Sequence, residues 1–507
     1  MAPASTLPVA APLPGRSPMV RVSLGFAAVA VVCLAVADIE VSTFDPWSEV
    51  GRMALGLISP DFRAIDRIGS ALLQTVAFAL VGVALGAAIG FALALVFHLR
   101  VVRLGCAFVR SIHELFWALI FLQVFGLSPL TGLLAIAIPF GGIFAKLYSE
   151  ILDEADQLPL KALPSGTGRV SAFIFVRLPD VWVHIRTYTS YRFECGLRSS
   201  AVLGFVGLPT LGFHLESAFK QGHYSEVSAL LILFYVLIAT IRLWARPRLV
   251  WLYILIAPFL LQGEADISIA NLVRFVTEDI VPYPLRSAAV LDGAAWAAFA
   301  AWFGVLMADQ ALPGIIATVI LTQIALVGTG LLTLVLFPLV STLFFGRAGT
   351  TAGHVLLVVA RSTPEYILTY ILLQFWGPSM LPGIIALTIH NGAIIGHLIG
   401  RYTDQITLRP DAPRGLDLYG FEVVPRIYGQ FLAFLFYRWE VIMRETAILG
   451  ILGIATLGFY IDSAFADLRF DRAMVLILIT AGLNIGVDVL SRTIRARLRL
   501  TMTPDEA

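Results

Sequence analysis

An all-α polytopic membrane protein made of two parallel repeats is the fold this sequence predicts, and three observations carry the prediction. Of 507 residues, 58% are hydrophobic and only 14% charged, with a mean hydropathy of +0.87. That is more apolar surface than a water-soluble core of this length can hide. The apolar residues gather in stretches close to the ~20 residues needed to cross a bilayer. Finally, the stretch Tyr191 to Phe213, YRFECGLRSSAVLGFVGLPTLGF, returns as Tyr437 to Phe459, YRWEVIMRETAILGILGIATLGF.

The repeat extends in both directions. Arg110-Ser111, Glu114, Gln123 and Gly132 find Arg361-Ser362, Glu365, Gln374 and Gly383, each 251 positions on. From Pro179 with Pro425 to Phe213 with Phe459 the offset is 246, so five residues are missing from the second copy between Glu150 and Pro179 of the first. A repeat this long is a duplicated domain rather than a solenoid of short units. It sets the boundaries as repeat 1 over 21–245 and repeat 2 over 246–492.

Taken in order, residues 1–20, rich in Pro, Ala and Ser, read as an N-terminal cytoplasmic tail. The apolar run 22–37 follows Arg16 and Arg21 and precedes Asp38, Glu40, Asp45 and Glu49, which predicts an uncleaved helix with its N-terminus inside. Further spans are expected at 70–97, 111–126, 129–148, 199–213 and 225–243, then at 248–262, 314–344, 355–376, 380–399, 446–461 and 473–490, about twelve in all. Residues 493–507 form a C-terminal cytoplasmic tail. Arg100, Arg103, Arg242, Arg246, Arg248, Arg347, Arg361, Arg492, Arg495, Arg497 and Arg499 all fall on the side this count makes cytoplasmic, while the loops 38–69 and 263–287 are richer in acid. Ala288 to Met307 has no counterpart in the first half. Were it to cross, the two halves would run in opposite senses, so it is expected in the outer interface or re-entering, with Trp296 and Trp302 at headgroup level.

Composition also excludes functions. A net charge of +1 gives no reason to expect a nucleic-acid partner. Cys33, Cys106 and Cys195 are widely scattered and read as small buried hydrophobes, not as a disulfide or metal framework. The only lysines, Lys146, Lys161 and Lys220, follow Ala145, Leu160 and Phe219, so no Gly-Lys pair and no phosphate cradle exists. The chain is not itself an ATPase. Its eight histidines lack HExxH spacing and no G-x-S-x-G elbow is present, which argues against an embedded enzyme.

Ionisable and amide groups near membrane depth are the candidates for a translocation path or gate. They are Arg192, Glu194 and Arg198 in the first half and Arg438, Glu440, Arg444 and Glu445 in the second; arginine–glutamate pairing that fixes helix packing is the alternative role. Gln123 and Gln374 sit deep in apolar runs. His390 and Asn391 occur in the second half only, which makes the halves unequal. Arg110 with Glu114 and Arg361 with Glu365 have the i,i+4 spacing of pairs along one helix. Gly204, Gly207 and Gly212, repeated as Gly450, Gly453 and Gly458, fit close helix approach or a bend.

The longest polar connections, 150–198 and 400–444, occupy the same place in each repeat, as docking sites for a partner would. In the first, Gly166 precedes Leu178-Pro179 by the spacing of a coupling loop, with Leu160-Lys161-Ala162 upstream; the second keeps Val424-Pro425 and has Asp411-Ala412-Pro413-Arg414-Gly415 in place of the Gly region. With Arg110-Ser-Ile-His-Glu114, Gly126-Leu-Ser-Pro129, Lys146-Leu-Tyr-Ser-Glu150, Tyr191-Arg-Phe-Glu194 and Ala201-Val-Leu-Gly-Phe-Val-Gly207, these blocks closely resemble the permease subunit of phosphonate-type ABC importers, over about 20–243 and more loosely 250–492. The chain departs from the family in its weakened coupling-loop signatures, in His113 where Pro is expected, and in joining two permease units in tandem.

The resemblance implies a type I ABC importer permease fold in a bacterial cytoplasmic (inner) membrane with both termini cytoplasmic. It implies an ABC ATPase dimer as partner, gripping Leu160, Lys161, Gly166, Pro179, Asp411, Arg414, Gly415 and Pro425. A periplasmic or lipoprotein binding protein would deliver a small phosphorus oxyanion: phosphonate, phosphite, hypophosphite or phosphate. No cofactor or metal is expected on this chain; ATP and Mg would be used by the ATPase. An ion-coupled secondary transporter of a small anion is the alternative.

Overall fold

The computed structural model describes residues 17–41, 46–63, 68–155, 158–164, 166–261, 263, 268–286 and 292–500. Of the two expected tails, 1–16 and 501–507 lie outside the described residues. The described backbone is built from helices. In the first half these are α1 (Pro18–Val36), α2 (Pro46–Ile58), α3 (Ile68–Leu95), α4 (Arg100–Ser111), α5 (Glu114–Phe125), α6 (Pro129–Glu154), α7 (Leu178–Val202), α8 (Leu211–Gln221) and α9 (Tyr224–Ala239). In the second they are α10 (Pro247–Leu260), α11 (Gly293–Val340), α12 (Arg347–Ser362), α13 (Glu365–Trp376), α14 (Met380–Thr403), α15 (Val424–Ile451), α16 (Leu457–Ala466) and α17 (Phe470–Arg497).

Among the described residues six helices are long and apolar enough to span a membrane, or nine if each bent pair is one span. The sequence reading expects about twelve spans, and several of its stretches are bent or broken in the structure. The stretches 111–126 and 355–376 are not single rods: α4 meets α5 at 94° and α12 meets α13 at 91°. The cause is local. His113 takes extended backbone and its Nδ1 accepts from the Leu115 amide at 3.2 Å, capping α5, while Pro364, which cannot continue a helix, precedes α13. The stretches 199–213 and 446–461 are broken too, with Gly207 and Gly453 left-handed at φ +90° and +92° just after each long helix.

The segment 288–307, expected in the outer interface or re-entering, is described from residue 292, and there it is the first part of one helix, 293–340, of 48 residues, about 72 Å at 1.5 Å per residue, against a hydrocarbon core of about 30 Å. No proline falls within 293–306, and a π-helical turn at Met307–Ala311 joins this part to Leu312–Leu336, whose second residue is Pro313, a place where its missing N–H is tolerated.

The halves are interlocked. α1 leaves the first half and packs on the second, with Phe26 edge-on to Phe436 and Trp439 at 5.1 Å each. Tyr428 Oη donates to Ser23 Oγ at 2.7 Å and Gln323 Nε2 to the Phe26 carbonyl at 3.1 Å. In return α10 of the second half lies along α3 of the first, bringing Val250 and Ile254 beside Leu80, Val83 and Ala84. The last helix of each half reaches the other's bend: Asn484 Nδ2 on α17 donates to the Ser111 carbonyl at 2.7 Å, and Tyr235 Oη on α9 pairs with Thr363 Oγ1 at 2.7 Å.

Candidate functional site

Two helices supply most of the site, and spacing explains why. Arg192, Cys195, Arg198, Ser199 and Val202 recur on α7 at intervals of three and four, hence on one face; Arg438, Val441, Arg444 and Glu445 do the same on α15. These faces meet between the halves around a cavity of about 120 Å³, room for several water molecules. The first residues of α5 and α13, Glu114 and Glu365, close it together with His113, Pro364 and Tyr366, while Pro139, Phe140 and Ile143 of α6 and His390 of α14 complete the wall.

The cavity is therefore lined by four arginines, Arg192, Arg198, Arg438 and Arg444, and three glutamates, Glu114, Glu365 and Glu445. The contacts repeat across the pseudo-twofold. Arg198 Nη1 donates to the Arg361 carbonyl at 3.5 Å, and Arg444 Nη1 donates to the Arg110 carbonyl at 2.9 Å. Each thus ties its half to the bend of the other. Glu114 accepts from Ser199 Oγ at 2.8 Å. By the same 246 offset Glu445 stands where the first half has Ser199, and it accepts from Asn391 Nδ2 at 3.0 Å. His390 Nδ1 lies 2.9 Å from the Thr363 carbonyl, leaving Nε2 facing Arg198 Nη1 at 3.5 Å and Glu365 at 3.9 Å. By the 251 offset the first half has Pro139 and Phe140 where His390 and Asn391 stand, so the two walls are chemically unequal.

Glu365, His390 and Glu445 bring ligand-type atoms within 4.8 Å of one another. A divalent metal does not fit them. The Arg198 guanidinium already occupies the side of the imidazole nitrogen that would ligate, and a second cation there is repelled.

Of the eleven residues expected on the path, Arg192, Arg198, His390, Arg438, Arg444 and Glu445 line this cavity. Asn391 supports it through Glu445. Glu194 and Glu440 stand off it, in the fields of Arg361 and of Arg110 respectively. Gln123 and Gln374 lie towards the far ends of α5 and α13 and do not line it. The expected pairs Arg110–Glu114 and Arg361–Glu365 do not form, because the helix bends between the partners. Arg110 binds Asp488 at 2.7 Å instead, and Glu114 and Glu365 turn to the cavity. The linings missed from sequence, Glu114, Glu365 and His113, carried one signal: an acidic residue is favoured in the first turn of a helix, where Glu114 and Glu365 stand.

At the end where α6 and α14 finish, the expected loop residues lie on irregular, exposed chain. Lys161 ends a short helix, Leu158–Lys161, whose Leu160 side chain is outside the described set. Gly166, Asp411, Arg414 and Gly415 are exposed, and Pro179 and Pro425 are exposed second residues of α7 and α15. Each long helix is preceded by a π-helical turn, Phe173–Arg177 and Leu418–Val423. The turns present Phe175 and Phe421, 246 apart and each 77% exposed. Sequence reasoning missed Glu422, 3% exposed, which clamps Arg409 at 2.9 Å and Arg426.

No family model and no solved structure matches the chain. Named proteins do. The chain is 25% identical to the phosphate-import permease protein PhnE of Mycolicibacterium smegmatis over 492 residues, 87% of this chain and 88% of that one. It is 25% identical to the phosphite transport system permease protein PtxC of Stutzerimonas stutzeri over 234 residues, 44% of this chain but 84% of PtxC. The chain is thus similar to phosphate- and phosphite-transport permeases, over both repeats in one case and over about one repeat in the other.

Proposed function

We propose that this chain is the transmembrane permease subunit of an ATP-driven ABC importer for phosphonates or related small phosphorus oxyanions, among them phosphite, hypophosphite and phosphate. The observation that carries the reading is the convergence of two pseudo-equivalent arginine pairs, Arg192 with Arg438 and Arg198 with Arg444, on one small cavity between the halves. A dry path for an anion needs cationic groups, and the N-termini of α5 and α13, at the same cavity, add positive helix-dipole ends. The names of the relatives, phosphate import and phosphite transport, supply the substrate class.

In this reading the chain lies in a bacterial inner membrane with both termini cytoplasmic, and repeats 21–245 and 246–492 form a type I permease pair. Two ATPase subunits bind loops 150–198 and 400–444 through Leu160, Lys161, Gly166, Pro179, Asp411, Arg414, Gly415 and Pro425, with Phe175 and Phe421 as aromatic anchors. ATP and Mg act on that partner. A binding protein delivers the anion outside, and closure of the ATPase dimer rocks the halves about the cavity, alternating its access. Glu365, His390 and the half-buried Glu445 are what an ion-coupled transporter would use instead.

The test is uptake by vesicles holding this chain with its candidate ATPase and binding protein. ATP-dependent accumulation of a phosphorus oxyanion, lost in Arg198→Ala, is expected. Uptake driven by an ion gradient without any ATPase would overturn the reading.

A further inference from the structure

The two halves repeat closely around the cavity, but not along the way from it to the loop end. By the 251 offset Arg103, Arg110, Lys146 and Glu150 of the first half correspond to His354, Arg361, His397 and Arg401 of the second. In the first half the charges cancel. Lys146 Nζ lies 3.7 Å from Glu150 Oε1, Arg110 donates to Asp488 at 2.7 Å, and Arg103 shares a groove with Glu150 and Asp153.

In the second half they do not. His354 and His397 face each other, Nε2 to Nε2, at 3.4 Å. Arg361 and Arg401 lie within electrostatic reach of both rings, and Arg361 is also within reach of Arg198 at the cavity. Glu194 lies in the field of Arg361 but forms no ion pair with it. Among the described residues none of His354, Arg361, His397 and Arg401 is ion-paired. His397, only 4% exposed, leaves Nδ1 without a partner, and Arg361 Nε is buried without one. Buried donors left unmade are costly, and the three arginines of this side, Arg198, Arg361 and Arg401, form a file of one sign of charge that concentrates the opposite ion.

We propose that the transported oxyanion passes between the cavity and the cytoplasm on one side only, along Arg198, Arg361, the His354–His397 pair and Arg401 of the second half. The proposal rests on the permease reading above. The neutralised route of the first half serves helix packing instead.

The experiment uses the whole reconstituted complex and uptake of radiolabelled inorganic phosphate at low ionic strength. Arg401 is exposed, so its substitution spares the packed core. Arg401→Glu is expected to cut uptake about tenfold and Arg401→Lys to keep it within about twofold. Lys146→Glu, which adds acid to the other route, is expected to leave uptake within about twofold. His354→Gln combined with His397→Gln lowers uptake without removing ATPase from the purified complex. Wild-type uptake in Arg401→Glu, equal losses in Lys146→Glu, or loss of ATPase binding as the cause of the Arg401→Glu defect would each overturn the one-sided route. Absence of uptake of phosphate or any other phosphorus oxyanion by the unaltered complex would count against the permease reading itself.

Discussion

Arg198 and Arg444 make one contact in opposite directions: the Nη1 of each donates to a backbone carbonyl in the other half, that of Arg361 at 3.5 Å and that of Arg110 at 2.9 Å. Those carbonyls belong to pseudo-equivalent residues, each just before a bend of more than 90°. Reciprocity of this kind is the mark of a twofold interface, here between two parts of one chain.

Removing either arginine leaves a carbonyl at a bend without its donor, and a hydrogen bond from a charged group is worth about 1.5–3 kcal/mol. Both Arg198→Ala and Arg444→Ala are expected to lower the melting temperature of the purified chain in detergent. The shorter bond makes Arg444→Ala the more damaging. A melting curve unmoved by both changes would show that the contacts do not join the halves.

The repeated glycines are expected to fail under the smallest enlargement. A Cβ on Gly212 would stand 1.8 Å from the Ala201 carbonyl oxygen, and one on Gly458 2.2 Å from that of Ala447. Backbone on backbone cannot give way as a side-chain tip can. Gly212→Ala and Gly458→Ala should each cost about 3 kcal/mol or more, whereas Gly482→Ala, whose Cβ meets nothing within 4 Å, should be neutral or slightly stabilising. Equal melting temperatures for the three variants would contradict the tight turn between α7 and α8 and its copy.

Asp488 joins Arg110 of the first half to Arg492 of its own helix while only 10% of its side chain is exposed. Asp488→Asn should destabilise by about 3 kcal/mol, because a buried arginine loses its counter-charge. Glu49→Gln removes the counter-charge of the exposed Arg52 while keeping an acceptor for Tyr224 Oη, and should change stability by no more than about 1 kcal/mol. Thermal melts of the two variants side by side check the ranking.

Because α1 sits on the second half, the chain opened between residues 263 and 268, which leaves α10 joined to the first half it packs on, should still assemble. Two co-expressed fragments are expected to copurify, and deletion of 1–37 from the first fragment should weaken recovery of the second. Fragments that purify separately and monodisperse would contradict the seating of α1 on the second half.

The doubling of the chain was legible because both copies kept their residues in register, and the arginines of the cavity were legible because charge at membrane depth is rare. Three things were hidden. A bend at His113 or Pro364 turns Glu114 and Glu365 away from the arginines four residues before them, so helical spacing misled there. Partners such as Asp488 for Arg110 come from the other half, 378 residues away, and no local pattern announces them. Glu422 is bound by Arg409 through a loop whose path the sequence leaves open. The long helix 293–340 was not legible either, because Pro313-Gly314 in its interior reads as a break, whereas the helix passes this point through a π-helical turn at Met307–Ala311.

The central claim is that the cavity between the halves is the path, and a native reporter stands in its wall. Cys195 lines the cavity, while Cys33 and Cys106 are buried elsewhere. With Cys33→Ala and Cys106→Ala in place, the labelling rate of Cys195 by a charged thiol reagent should be measured in the reconstituted complex. The account predicts a rate that changes between the nucleotide-free and ATP-bound states and falls when phosphate or an alkylphosphonate is supplied with the binding protein. Labelling that is indifferent to nucleotide and anion, in vesicles that nonetheless take up the anion, would contradict it.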